Sequence, residues 1–201
     1  MKFFFAPEFS SLAGHIALLE TGFAFDIVEV DIETRQLGDG SSYLAINSKG
    51  LVPALMLDDG AVLTENVAIL TWIADQAPEL APSGALGRYR LLETLSLIAI
   101  EIHKRFPIYF SLPEDARETL EVDIVRWFGF LAPYINRDCL FGEAFGVADA
   151  YLFVMARGAL EMGFSLGEPY RNYVSRIEAR PTVQLALSRE RKQSRPEREA
   201  R

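Results

Sequence analysis

Over its first 30 residues the chain changes hydrophobic period twice, and this order of periods narrows the fold more than any other feature. Residues 2 to 6 form a short, continuous apolar run closed by Pro7, the pattern of a buried strand. From Ser10 the spacing lengthens. Leu12, Ile16 and Leu19 fall on one helical face, Ser10 or Ser11 stands where a helix is capped, and Gly22 stops it. Phe25 to Val30 then alternates as a second strand. Strand, helix and strand in so few residues predict a βαβ unit with a right-handed crossover.

After a polar stretch from Asp31 to Ser42, Val52 to Leu57 and Ala61 to Thr64 flank Asp58-Asp59-Gly60, a hairpin signal in which the glycine supplies the positive φ of the turn. Helical spacing resumes at Val67, Leu70 and Ile73. Pro78, Pro82, Gly84 and Gly87 then interrupt every period, which places a domain boundary there. Beyond it the apolar-periodic segments Tyr89 to Phe106, Pro113 to Ile135, Val147 to Met162 and Tyr170 to Ala179 all read as helices, with a last short helix from Pro181. The predicted organisation is an α/β domain over 1–77, a linker over 78–86 and an all-helical domain over 87–201 whose tail frays from about residue 189.

Composition excludes several classes of function. The net charge of −8 repels phosphate, so a nucleic-acid partner would need a local basic patch. The only candidate is Arg189 to Arg201, where six basic and three acidic residues interleave with no apolar periodicity, the pattern of a solvated terminus. A single cysteine, Cys139, allows neither an internal disulfide nor a cysteine metal cluster, which fits a reducing cytoplasm, and it reads as a small core residue. No run approaches the roughly 20 apolar residues that span a bilayer. Nucleic acid, membrane and metal are therefore not expected.

The clue to a site is Leu51-Val52-Pro53-Ala54-Leu55. A proline at a strand entry removes a ladder donor. It is either an ordinary trans proline there or a cis proline that turns the amide and carbonyl of Val52 outward to pair with an extended peptide.

Asn47-Ser48-Lys49-Gly50-Leu51-Val52-Pro53-Ala54-Leu55, followed in register by Leu63-Thr64-Glu65-Asn66-Val67-Ala68-Ile69, resembles the cis-proline loop and glutamate-led helix start of glutathione transferases. Pro7, Ser10, Ser11 and Leu12 in the opening segment, Ile102-His103-Lys104, and Val147 to Phe153 are similar to the bacterial beta class. This likeness covers nearly the whole chain. It implies a thioredoxin-like N-terminal domain with a mixed four-stranded sheet, an all-helical C-terminal domain, glutathione as co-substrate without a metal, and a homodimer.

The resemblance also assigns roles. Glu65 pairs with the γ-glutamyl ammonium, the amide of Asn66 binds the γ-glutamyl carboxylate at a helix N-terminus, and the backbone of Val52 holds the cysteinyl unit, with Leu51 and Pro53 among the glutathione-binding residues. Arg35 and Lys49 are the nearest cations for the remaining carboxylate. Ser10 or Ser11 is either a simple cap or the donor that favours thiolate. His103 matches a histidine near the active centre, whereas His15, with no acid close in sequence, reads as structural. Phe9, Phe106, Tyr109 and Phe110 are the aromatic candidates for an electrophile pocket. Gly146 to Asp149 falls where the family has a capping box, with glycine in place of the capping hydroxyl and Asp149 still able to accept from the amide of 146.

The chain departs from this pattern at telling positions. Ser10 stands where beta-class proteins carry cysteine, which removes a mixed disulfide with glutathione and argues against reductase chemistry. Leu51 replaces a glutamine, Asn66 a serine, and Ser96 an asparagine that reaches the partner subunit's ligand. Two readings follow: a transferase joining glutathione thiolate to small apolar electrophiles, or a non-catalytic member of the fold that carries ligands or binds proteins.

Overall fold

In the computed structural model, residues 1–135 and 137–193 are described, and they form two units: Met1–Ile73 with the chain from Arg180 onward, and Ala74–Ala179. The first holds a mixed sheet in the order β3-β2-β1-β4-β5. Strand β1 (Lys2–Phe5) pairs in parallel with β2 (Asp26–Asp31) and antiparallel with β4 (Ala54–Met56), which pairs antiparallel with β5 (Val62–Thr64). The expected βαβ unit and hairpin are present, with Gly60 at φ 87° in the turn. A fifth strand extends the expected four: β3 (Gln36–Leu37), two residues long, pairs with the end of β2 inside the stretch read as merely polar.

Strand β1 is central, so both of its faces are covered and its pattern is a solid apolar run. Phe4 packs with Val30, Tyr43 and Ala54 on one side. Phe3 and Phe5 face His15 of helix α1 (Leu12–Thr21) on the other. Helix α1 ends where expected, with Gly22 in the left-handed region at φ 72°. Its start differs from expectation: Ser11 has helical dihedrals and makes no side-chain cap bond. Helix α2 (Asn66–Gln76) follows β5.

In the second unit come α3 (Gly87–Leu97), a π-helical turn (Ile98–His103), α4 (Arg105–Ser111), α5 (Glu114–Ile135), α6 (Val147–Glu161) and α7 (Glu168–Glu178). Ten of the fifteen residues of α6 are buried, which makes it the core helix of this unit. Asp149 fastens its start. One carboxylate oxygen accepts from the amide of Gly146 at 3.0 Å, and the other accepts from the amide of Leu140 at 2.8 Å and the hydroxyl of Tyr173 at 3.0 Å. The buried carboxyl group thus accepts from these three donors, as a buried polar group requires.

Helix α8 (Pro181–Gln193) corrects the sequence reading twice. It belongs with the first unit, not the helical one, because it packs along α1. It also continues past residue 189 as regular helix with Glu190 only 4% exposed, so fraying does not begin there; positions 194–201 lie outside the described residues. Two polar locks hold α8 down. Arg180 donates to both carboxylate oxygens of Glu20 at 3.0 and 2.9 Å, beside a bond from Thr182 to the same group. Deeper in, Nδ1 of His15 lies 2.9 Å from Oε1 of Glu190. Apolar packing alone would let two helices slide, whereas paired buried polar groups fix one register.

Candidate active site

Nine of the residues singled out from sequence lie in the first unit: Ser10, Ser11, Arg35, Lys49, Leu51, Val52, Pro53, Glu65 and Asn66. Ser96 of α3 and His103 lie in the second.

The Val52-Pro53 bond is cis, and Pro53 is buried immediately before β4. Among the described residues neither the amide nor the carbonyl of Val52 has a hydrogen-bond partner. The carbonyl of the preceding Leu51, in contrast, accepts from Tyr43 Oη at 2.9 Å and from Asn47 Nδ2 at 2.7 Å. Burial raises the Tyr43 phenol above its ordinary value, which keeps it a donor. Tyr43 and Asn47 are thus supports for the loop that sequence reasoning overlooked. Their signal was a buried-type aromatic and an amide four residues apart just ahead of the proline. The Leu51 side chain is 54% exposed and presents an apolar surface where the resemblance leads one to expect a polar amide.

Glu65 precedes α2 with φ 74°, a conformation that costs a residue bearing a Cβ roughly 1–2 kcal/mol. Its carbonyl starts the helix by accepting from Ile69 at 3.0 Å, and its carboxylate is 63% exposed. The carboxylate pairs closely with Lys49, whose ammonium also donates to Thr64 Oγ1 at 2.7 Å. Two residues assigned to different ends of a ligand therefore hold each other here. An exposed pair of this kind is worth only about 0–1 kcal/mol, so an incoming charged ligand rearranges it at small cost.

Arg35, at φ 59°, lies against Gly50: a Cβ on that glycine would approach Arg35 Nε to 2.8 Å. Its Nη1 is buried without a hydrogen-bond partner among the described residues. Asn66, first residue of α2 and 6% exposed, reaches back with Nδ2 to the carbonyl of Ser10 at 3.3 Å.

The two serines separate. Ser11 is fully buried; its hydroxyl donates to the carbonyl of Ala6 at 3.1 Å and accepts from the amide of Ala6 at 3.2 Å. A hydroxyl has one proton to give, and this one is spent tying the end of β1 to α1. The Ser10 hydroxyl has no partner among the described residues. Ser10 thus retains an uncommitted hydroxyl at the opening of α1, where the helix dipole favours an anion.

In the second unit His103 closes the π-helical turn, with Nδ1 2.7 Å from the hydroxyl of Tyr151 on α6. Helical spacing carries no sign of the wider turn, a feature often found where a helix carries function. Among the expected pocket aromatics, Phe106 is buried against Phe164, as is usual for core, while Phe9 and Phe110 are exposed. No set of three or more histidine, cysteine, aspartate or glutamate side chains among the described residues is placed to hold a metal ion. No described helix is long and apolar enough to cross a membrane.

The family model described as glutathione S-transferase, N-terminal domain, matches residues 11–76. The chain is 39% identical to glutathione S-transferase GstA of Escherichia coli O157:H7, over 94% of this chain and 98% of that one. Among solved structures, the bacterial beta-class glutathione S-transferase of Sphingomonas chungbukensis superposes with a TM-score of 0.87 at 43% identity, covering 94% of this chain and 98% of that chain. A sphingomonad glutathione S-transferase complexed with glutathione superposes with the same TM-score at 42% identity and the same coverage.

Proposed function

The chain belongs to the glutathione S-transferase family, and on that premise we propose that it joins the thiolate of glutathione to small apolar electrophiles, with Ser10 as the donor to the sulfur. The observation that carries this reading is the Asn66–Ser10 contact at 3.3 Å. It ties the main-chain carbonyl of Ser10, whose hydroxyl is uncommitted, to the start of α2, where Glu65 and the Asn66 amide present a carboxylate and a helix N-terminus. Thiol, ammonium and carboxylate of one γ-glutamyl tripeptide find matching groups on connected residues, and the unpaired backbone of Val52 offers the strand-like pairing a peptide uses.

In the proposed reaction the thiol proton leaves to solvent, helped by the Ser10 hydroxyl and the positive end of α1, both of which favour the anion. The sulfur then forms a C–S bond as the electrophile's leaving group departs with its electron pair. Lys49 and Arg35 serve the remaining carboxylate, and Leu51 lies beside the cysteinyl unit. His103, held by Tyr151, shapes the electrophile's surroundings. The reading includes a cytoplasmic homodimer in which Ser96 stands at the partner subunit's glutathione; a single-chain mass by sedimentation at micromolar concentration would remove the dimer.

Conjugation of glutathione to a chlorinated aromatic, measured for wild type, Ser10→Ala and Ser11→Ala, tests the assignment. Ser10→Ala is expected to lower kcat, while Ser11→Ala acts through stability because it breaks both bonds to Ala6. Equal kcat in wild type and Ser10→Ala would remove Ser10 from the mechanism. The exposed Leu51 side chain favours a second reading, a ligand carrier with weakened glutathione affinity; the absence of calorimetric binding at millimolar glutathione would select it.

A further inference from the structure

We propose that Asn66 is a positioning residue for Ser10: its side-chain amide fixes the serine so that the hydroxyl faces the thiol, an inference that rests on the transferase reading above. Asn66 is buried, and its Nδ2 donates to the Ser10 carbonyl, which also accepts from the amide of Ala13 at 3.2 Å. Two donors from different helices thus hold one peptide group. On the other side Ser11 is clamped to Ala6 by both hydrogen bonds of its hydroxyl. The turn between β1 and α1 is pinned to the end of β1 and to the start of α2, and Ser10 is the residue between those pins whose hydroxyl is left uncommitted.

The other end of the amide strengthens the case. Asn66 Oδ1 is buried with no hydrogen-bond partner among the described residues. An orphaned buried acceptor costs about 1–3 kcal/mol, so stability alone does not favour this side chain. Rotating the amide by half a turn would set Oδ1 against the Ser10 carbonyl, oxygen to oxygen, so the contact itself fixes which atom is nitrogen. A serine at this position, as the family resemblance leads one to expect, ends one bond closer to the backbone than Nδ2 does and falls short of the Ser10 carbonyl. Serine at 10 and asparagine at 66 therefore belong together: a hydroxyl, less acidic than a thiol and unable to act as an anion itself, must be aimed to be useful. Misplacing a catalytic group by about 1 Å costs on the order of 100-fold in rate.

The main-chain amide assigned to the ligand's carboxylate survives any substitution at 66, so loss of the side chain should act on kcat and not on KM. Asn66→Ala and Asn66→Ser are to be assayed in the wild-type and Ser10→Ala backgrounds, with kcat and KM for glutathione measured across pH. In the wild-type background kcat is expected to fall about 10- to 100-fold, with KM within about twofold and the apparent thiol pKa raised. In the Ser10→Ala background the same substitutions should cost nothing further, since the group they aim is gone. If Asn66→Ala does not fold, Asn66→Ser carries the test. Losses that multiply across the two sites, or a raised KM with unchanged kcat, would overturn the positioning role while leaving Ser10 in the mechanism. If Ser10→Ala alone leaves kcat unchanged, the Ser10 mechanism falls and this inference with it.

Discussion

Removing the side chain of Glu190 should unfold more of this protein than its place near the chain end suggests. His15 is fully buried, ringed by Phe3, Phe5 and Phe25 at centroid distances of 6.3, 6.1 and 5.8 Å, and its Nε2 has no partner among the described residues. Among the described residues the ring's one hydrogen bond joins Nδ1 to Glu190. Glu190→Ala leaves both ring nitrogens of a buried imidazole unpaired. Breaking a buried pair by deleting one partner costs about 3–5 kcal/mol, a shift of roughly 150- to 4,000-fold in the folding equilibrium. In urea, at about 2 kcal/mol per molar, the middle of the range for small proteins, the midpoint should fall by about 1.5–2.5 M. The double variant His15→Leu, Glu190→Leu is the discriminating control. Replacing both partners by apolar groups of similar volume is often neutral or stabilising, so the double variant should be far more stable than Glu190→Ala. A midpoint within 0.3 M (about a tenth of the larger expected loss) of wild type for Glu190→Ala would refute the reasoning, as would a double variant at least as unstable as the single.

The same pair sets a pH dependence. Burial holds the Glu190 carboxyl above its ordinary value, with the His15 bond opposing; its share of stability is therefore full below the unfolded pKa and is lost as pH rises through the folded one. Glu190→Gln should flatten the stability curve across that window in pH-resolved urea melts. Asp149→Ala strands three buried donors, those of Leu140, Gly146 and Tyr173. It should cost about 3 kcal/mol or about 6–12 °C in thermal melting, with Asp149→Asn recovering part. Gly87→Ala would place a Cβ 1.9 Å from the carbonyl oxygen of Pro82 and should cost about 1–3 kcal/mol, whereas Gly129→Ala meets nothing within 4 Å and should be neutral or stabilising by calorimetry. Glu65→Gln should raise KM for glutathione about 10- to 100-fold through a lost charge-assisted bond, yet leave the melting temperature within about 2 °C because its pair with Lys49 is exposed.

Local signals were the readable ones. The βαβ unit, the hairpin at Gly60, the helix stop at Gly22 and the acceptor role of Asp149 each depend on residues a few positions apart, where period, backbone freedom and cap chemistry act directly. The cis bond at Pro53 was legible only through resemblance to a known loop, since local rules left cis and trans both open. What sequence hid depends on distant meetings. His15 reads as a histidine without an acid because its acid lies 175 residues away. The two serines look equivalent until the strand end brings Ala6 beside one and α2 brings Asn66 beside the other. Lys49 and Glu65, 16 residues apart, reveal themselves as mutual partners only once β4 and β5 fold back on each other. The two-residue β3 is too short for any period to register, and nothing in the pattern of α8 itself says which surface it covers, so its sequence groups it with the helices before it.

The union of α1 with α8 also bears on how the protein is made. A ribosome adding about 5–20 residues per second needs some 9–35 seconds to pass from His15 to Glu190, which stand 175 residues apart. Once β5 (Val62–Thr64) has been made, the sheet can form, but the flank of α1 that receives α8 stays without that cover until residue 190 is reached. The unit that comes first in chain order is thus the one completed last in time, and its full packing waits on translation reaching α8. A premature stop after α7 would release a chain whose opening domain, though fully encoded, still lacks the helix that seals it.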